Sequence, residues 1–385
     1  MESRTVPPAH GRYPGIDGLR AFSVILVVLM HGWHSLPAMG IASKSLSAVL
    51  GNGPFGVRIF FVISGFLITH LLRRERDRTG RIALGKFYAR RARRILPAYF
   101  AFLVGMAAIK VAGWIDPPWP HLLLGLTFLM NYESVLLPDS PDAIFVKHAW
   151  SLSLEEQFYA LWPLALILLG FRGAGRGAAV IVMLSPFIRV ATYYFWPESR
   201  NAIWMMWHSA SDAIMVGCLA ALVGDDPRFK AAFSRFRSPA WPIGVFLAVW
   251  VVSSVLAAKF RGMWILTVGI TVESLAAAFL LLWIVNHPTA TFTRALAWRP
   301  LAHVGVLSYS IYLWQQLFTL LPETFLLGRF PWNFLATLFM AEASYWLIER
   351  PFLRMGANGQ KNGRQEEPPA SLSPTTTFTE ENRVE

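Results

Sequence analysis

Long apolar runs alternate with short polar stretches along the chain, and most runs reach about 20 residues, the length of a helix that crosses a bilayer core. Ten runs predict helices near 17–37, 54–72, 94–113, 150–169, 178–196, 203–223, 241–258, 263–285, 302–322 and 331–350. The stretch from Trp114 to Ala149 breaks the pattern. His121–Met130 is apolar, but about ten residues are too few for a crossing and suit a re-entrant or interfacial helix. The expected fold is an all-α integral membrane protein of about ten transmembrane helices with one such extra segment.

Charge then orients the spans. Between Arg73 and Arg94, ten arginines and lysines face only Glu75 and Asp77, a balance of +8 in one loop between two apolar runs. Basic loops mark the cytoplasmic side. With ten crossings, that side also holds Arg172 and Arg176, the Arg228–Arg237 group, Arg294 and Arg299. An eleventh crossing at 121–137 would move all of these later loops outside. Both termini are therefore expected in the cytoplasm. The organisation read from this pattern is an N-terminal cytoplasmic segment over 1–12, a membrane domain over 13–352, and a disordered tail over 353–385 rich in Pro, Thr and Glu. Met1–Ile16 shows no cleavable signal peptide, and no internal repeat stands out.

Composition agrees with this class: 55% of side chains are hydrophobic and 15% charged, where soluble domains carry about a quarter charged. The net charge of +12 would suit a nucleic-acid binder if it were spread over a domain, but its concentration in one loop makes it a topology signal, so no nucleic-acid partner is expected. The single cysteine, Cys218, excludes an internal disulfide. His31 and His34 have no third ligand at helical spacing, so no metal is expected.

Ionisable groups inside a membrane span are costly and usually functional. In the first span, Arg20 and His31 are eleven residues apart, three turns plus about 20°, which puts them on one face roughly 16 Å apart. Asp17 precedes Arg20 by three residues and is placed to hold it. An imidazole at that depth either carries a proton in chemistry or simply hydrogen-bonds across helices. Arg90, Arg91, Arg93 and Arg94 surround the start of the third span, where they serve topology or grip phosphate. His148-Ala-Trp-Ser-Leu-Ser-Leu-Glu-Glu-Gln-Phe-Tyr159 brings many polar groups to the start of the fourth span. They read as helix capping or as a pocket for a hydroxylated substrate, with Trp150 as a stacking plate. Ser64-Gly65 reads as a close helix contact. Arg189, Asp212, Glu273, Glu342 and Gln315-Gln316 are buried-polar candidates without assigned roles.

Taken together, these motifs resemble membrane acyltransferase family 3, whose members O-acylate lipopolysaccharide, Nod factors, peptidoglycan and macrolides. The resemblance runs from about Tyr13 to Phe352. It rests on Arg20 and His31, Phe60-Phe61-x-x-Ser64-Gly65, Arg91-x-x-Arg94, the His148–Tyr159 box, Ser308-Tyr-Ser-Ile-Tyr-Leu-Trp314, and Glu349-x-Pro351. It implies a multi-pass protein of the bacterial cytoplasmic membrane. It also implies a cytoplasmic acyl-CoA co-substrate, most often acetyl-CoA, no bound cofactor, and a carbohydrate or glycolipid acceptor at the external face, with membrane lipid around the protein. On that reading His31 is the catalytic histidine, either as a base or as a transiently acylated relay, supported by Arg20 and Asp17. Arg91 and Arg94, with Arg90, would hold CoA. Trp150, Ser151, Glu155 and Tyr159 would form the acceptor side, and Ser64, Gly65 and Glu349 would support the site. Two positions depart from the family pattern: Gln315 stands where a histidine is common, and Ala210 where an arginine is expected near Asp212. No appended hydrolase-type domain is expected. The alternative is a polytopic transporter or flippase for a glycolipid or small metabolite, which shares the membrane body and its intramembrane His and Arg.

Overall fold

Pro14 opens the first helix at a position where its missing N–H leaves no hydrogen bond unmade, and α1 runs over Pro14–Gly32. The computed structural model describes residues 13–35 and 48–355. The N-terminal segment 1–12, the tail from 356 and the His34 side chain lie outside the described residues. All regular structure among the described residues is helical, with no strand.

Among the described residues, ten further helices of eight or more residues organise the fold. α2 (Gly53–Thr79) starts where the Asn52 side chain accepts the Phe55 N–H at 3.1 Å, and ends at Gly80, whose φ of +73° suits a residue without a Cβ. At 27 residues, or about 40 Å, α2 carries its basic end beyond the apolar part. α3 is Leu84–Val111, α4 Trp119–Leu126, α5 Ala149–Leu168 and α6 Gly170–Phe195. α7 is Asp212–Val223, α8 Ala240–Phe260 and α9 Ile270–Asn286. α10 is Arg299–Thr319, and α11 is Trp332–Ser344. A π-helical turn, Tyr345–Glu349, continues α11, and helix persists to Met355, three residues past the expected domain boundary.

Each of the ten expected runs corresponds to helix. Among the described residues, six helical stretches are long and apolar enough to cross a membrane: α1, α2, α3, α6, α8, and α9 with its lead-in from Gly262. The helices over 150–169, 203–223, 302–322 and 331–350 are shorter or more polar. Several of them are interior helices whose buried faces hold polar groups against one another, which lowers their mean hydropathy. α8 is the opposite case: only 17% of its apolar window is buried, against 72% for α2, so its apolar face is left for lipid. Between Trp114 and Ala149 the longest helix is α4, with eight residues, about 12 Å and too short to cross. This region is held by Glu133, which meets His121 at 3.1 Å and Lys147 at 3.0 Å, and by the Asn131–Gln157 amide pair.

α1 lies between α2 and α10, and α2 packs on α7. Glycine makes the last contact possible. A Cβ on Gly65 would sit 2.0 Å from the Ile214 carbonyl oxygen, and one on Gly217 would sit 2.1 Å from that of Val62. Two buried ion pairs bind the surrounding helices. Arg58 and Glu273 meet at 2.7 Å between α2 and α9. Arg189 of α6 meets Asp212 at 2.9 Å and also bonds Thr271, so Asp212 receives its guanidinium from a different helix than the family pattern suggests.

Two stability predictions follow from these contacts. Gly65→Ala should lower stability by about 1–3 kcal/mol, because its clash is with backbone; the melting temperature of detergent-solubilised protein tests this, and an unchanged value would refute the contact. Arg189→Met should cost about 3–5 kcal/mol by stranding Asp212, and Arg189→Met with Asp212→Leu should recover most of that loss in the same assay.

Candidate active site

Helical spacing selects the side chains that face one cavity of about 450 Å³ between α1, α2, α3, α5, α10 and the Tyr345–Glu349 turn. Arg91 and Arg94 are three residues apart on α3 and both line it. Arg90 is rotated about 100° from Arg91 and does not line it; its guanidinium instead meets Glu75 at 3.2 Å and is partly exposed. On α5, Ser151, Glu155 and Tyr159 recur every four residues and form a stripe facing the cavity. Asp17 and Arg20 of α1 line the same space.

These assignments regroup the sequence reading. Arg91 and Arg94 on one hand, and Ser151, Glu155 and Tyr159 on the other, share a single cavity rather than lining separate donor and acceptor sides. Glu155 is held by Ser64, which donates at 2.7 Å, and by Tyr159, which donates at 3.2 Å. Arg91 stacks over the Tyr159 ring at 5.7 Å and the Phe87 ring at 5.9 Å. Ser64 thus faces the cavity while Gly65 faces α7. Glu349, brought in by the π-helical turn, accepts from Ser310 and lines the cavity near Arg20 and Arg94. Trp150 is buried and does not line the cavity, and its ring is roughly perpendicular to those of Phe61 and Trp204.

The lining carries three guanidiniums, from Arg20, Arg91 and Arg94, and four carboxyl groups, from Asp17, Glu155, Glu156 and Glu349. The interior is therefore a zone of mixed charge. The excess of positive charge lies outside it, on the exposed basic end of α2 and the start of α3.

His31 does not line the cavity. It is reached through a column of polar groups. Tyr312 lines the cavity, lies 2.6 Å from Ser151 Oγ, and donates to the His148 carbonyl at 2.9 Å. The His148 ring meets the Gln316 side chain at 2.6 Å, and Gln316 meets His31 Nε2 at 2.8 Å. Ser151 and Tyr312 are thus the wall between the cavity and the two histidines. Sequence reading singled out His31, His148 and Gln316 separately without connecting them. It gave Glu156, Tyr309, Tyr312 and Tyr345 no site role, although Tyr309, Tyr312 and Gln316 repeat at helical spacing on one face of α10. Among the described residues, no group of three or more His, Cys, Asp or Glu could hold a metal ion.

Comparison with known proteins gives the chain a family. The family described as Acyltransferase domain matches residues 13–350. The chain is 30% identical over 386 residues to the O-acetyltransferase OatA of Staphylococcus aureus (strain NCTC 8325 / PS 47), covering 89% of this chain and 57% of that protein. It is 30% identical over 380 residues to the putative peptidoglycan O-acetyltransferase YrhL of Bacillus subtilis (strain 168), covering 90% of this chain and 56% of that one. The chain thus spans somewhat more than half the length of these relatives. No solved structure matches it. With six helices long and apolar enough to cross a bilayer and a family match over nearly the whole membrane domain, the chain is a multi-pass membrane protein of the acyltransferase 3 family.

Proposed function

We propose that this protein is an integral-membrane O-acyltransferase of the bacterial cytoplasmic membrane. It would move an acetyl group from cytoplasmic acetyl-CoA to a hydroxyl of a cell-envelope glycan. The observation that carries this reading is the polar column from the arginine-lined cavity to His31. CoA is too polar to cross lipid, so its acyl group needs a protein path, and the column marks its course, about one helical turn of α10 from Tyr312 to Gln316. Family membership favours this over transport. The names of OatA and YrhL point to O-acetylation, and that of YrhL to peptidoglycan as the kind of acceptor.

In this reading the chain crosses ten times with both termini cytoplasmic, which puts the +8 loop and the cavity mouth on the donor side. Arg91 and Arg94 hold CoA phosphates at the mouth, because the carboxylates deeper in the cavity repel them. The thin pantetheine arm extends inward past Glu155 and Tyr159. Rotation of Tyr312 away from Ser151 then opens the wall to His31. His31 takes the proton of the acceptor hydroxyl as its oxygen attacks the thioester carbonyl. The new C–O bond forms, the C–S bond breaks, and the leaving thiolate takes up the proton from His31 as free CoA is made. Arg20 and Asp17 shape the charge below that point, and Glu349 fixes the inner end of the arginine group.

His31→Ala, at equal membrane levels, should reduce label transfer from radioactive acetyl-CoA by about 10²–10⁴-fold; retention of most transfer would refute the catalytic role. Arg91→Ala with Arg94→Ala should raise the KM for acetyl-CoA about tenfold or more while changing kcat little, and an unchanged KM would remove the phosphate assignment.

A further inference from the structure

The His31–Gln316–His148 contact contains more than a link. A glutamine amide has one face that only accepts and one that only donates, so it cannot treat two histidines alike. His148 Nε2 lies 3.0 Å from the Leu313 carbonyl oxygen. A carbonyl has no hydrogen to give, so His148 Nε2 carries one. The other nitrogen, Nδ1, lies 2.6 Å from the Gln316 side chain. The structure places the Gln316 oxygen there, and with that placement Nδ1 would also need a hydrogen and the ring would be a cation. The His148 side chain is buried at 3% exposure, edge-on to Phe102 and Tyr312, and no carboxylate contacts it among the described residues. An unpaired cation is strongly disfavoured in such a place.

The amide nitrogen must then face His148. An amide turned over keeps its shape, and the hydrogen-bond network alone decides which way it sits. With the amide turned over from its placement in the structure, where the oxygen faces His148 and the nitrogen faces His31, every partner matches: Gln316 donates to His148 Nδ1, His148 Nε2 donates to the Leu313 carbonyl, and the Gln316 oxygen accepts from His31 Nε2. His31 is left with a bare Nδ1. The ring also approaches the Val27 carbonyl and the Gln315 side chain, but a neutral imidazole that already carries its hydrogen on Nε2 has none on the buried Nδ1.

We propose that Gln316, oriented by His148, is a positioning residue that fixes the tautomer of His31 and leaves Nδ1 as its free lone pair. The proposal rests on the reading of His31 as the base of acyl transfer. When Nδ1 takes the proton of the acceptor hydroxyl, the imidazolium keeps its Nε2–H bond to the Gln316 oxygen, and that bond strengthens because its donor is now charged. Nδ1 gives the same proton to the departing thiolate, so the ring ends as it began. Gln316 therefore helps the charged intermediate form without touching either substrate.

Two measurements test this separately from the proposed activity. In full-length protein labelled with 15N-histidine and studied by solid-state NMR in lipid, the His31 signals, identified by their loss in His31→Asn, should show a bare Nδ1 and a protonated Nε2. In the transfer assay, Gln316→Leu should lower kcat about 10–100-fold with the acetyl-CoA KM within about twofold. Gln316→Glu still accepts from His31 Nε2 and pairs with a protonated His148, so it should recover kcat to within about fivefold of the native enzyme. The proposal is overturned if His31 carries its hydrogen on Nδ1, if the Leu and Glu variants lose kcat alike, or if Gln316→Leu retains it. If Gln316→Leu does not reach the membrane, the native tautomer decides alone. A fully active His31→Ala would remove the base reading, while the NMR result would still decide the tautomer.

Discussion

A bilayer core offers no hydrogen bonds, so each polar side chain carried into it must find its partner in the protein. The rest of this architecture depends on that constraint. α1, α5 and α10 each bear polar groups at three- and four-residue spacing, and these stripes face one another around the cavity and the two histidines. Lipid is left to helices such as α6 and α8, whose apolar surfaces stay largely unburied. Polar groups on the interior helices are therefore turned toward one another rather than toward lipid.

Such a column needs tight walls. Gly65 and Gly217 let α2 and α7 approach until backbone meets backbone, and Gly305 does the same for α10 against Asp17, where a Cβ would fall 1.8 Å from a carbonyl oxygen. The last contact sets the separation of α1 and α10, the two helices that bring His31 and Gln316 together. Arg58–Glu273 and Arg189–Asp212 tie down the helices behind them. Each pair is buried and joins two helices, so both read as framework.

Charge is arranged by depth. Basic residues crowd the exposed ends of α2 and α3, while the cavity itself mixes guanidiniums with carboxyl groups.

Helix positions, the basic loop and the placing of Arg20 and His31 on one helix could be read from the chain, because they follow from apolar runs, charge counts and the 3.6-residue period, all local properties; that Arg20 lines the cavity while His31 does not could not. Arg91 and Arg94 were legible for the same reason, and Arg90 was separable from them by a rotation of 100°. Only the tertiary structure could put Glu155 and Tyr159 in one cavity with those arginines, or join His31 to His148 through Gln316, 285 positions away along the chain. Periodicity says which face of a helix is polar but not which helix that face will meet. That choice is made by close packing between elements distant in sequence, and at this site by a handful of glycines and one amide.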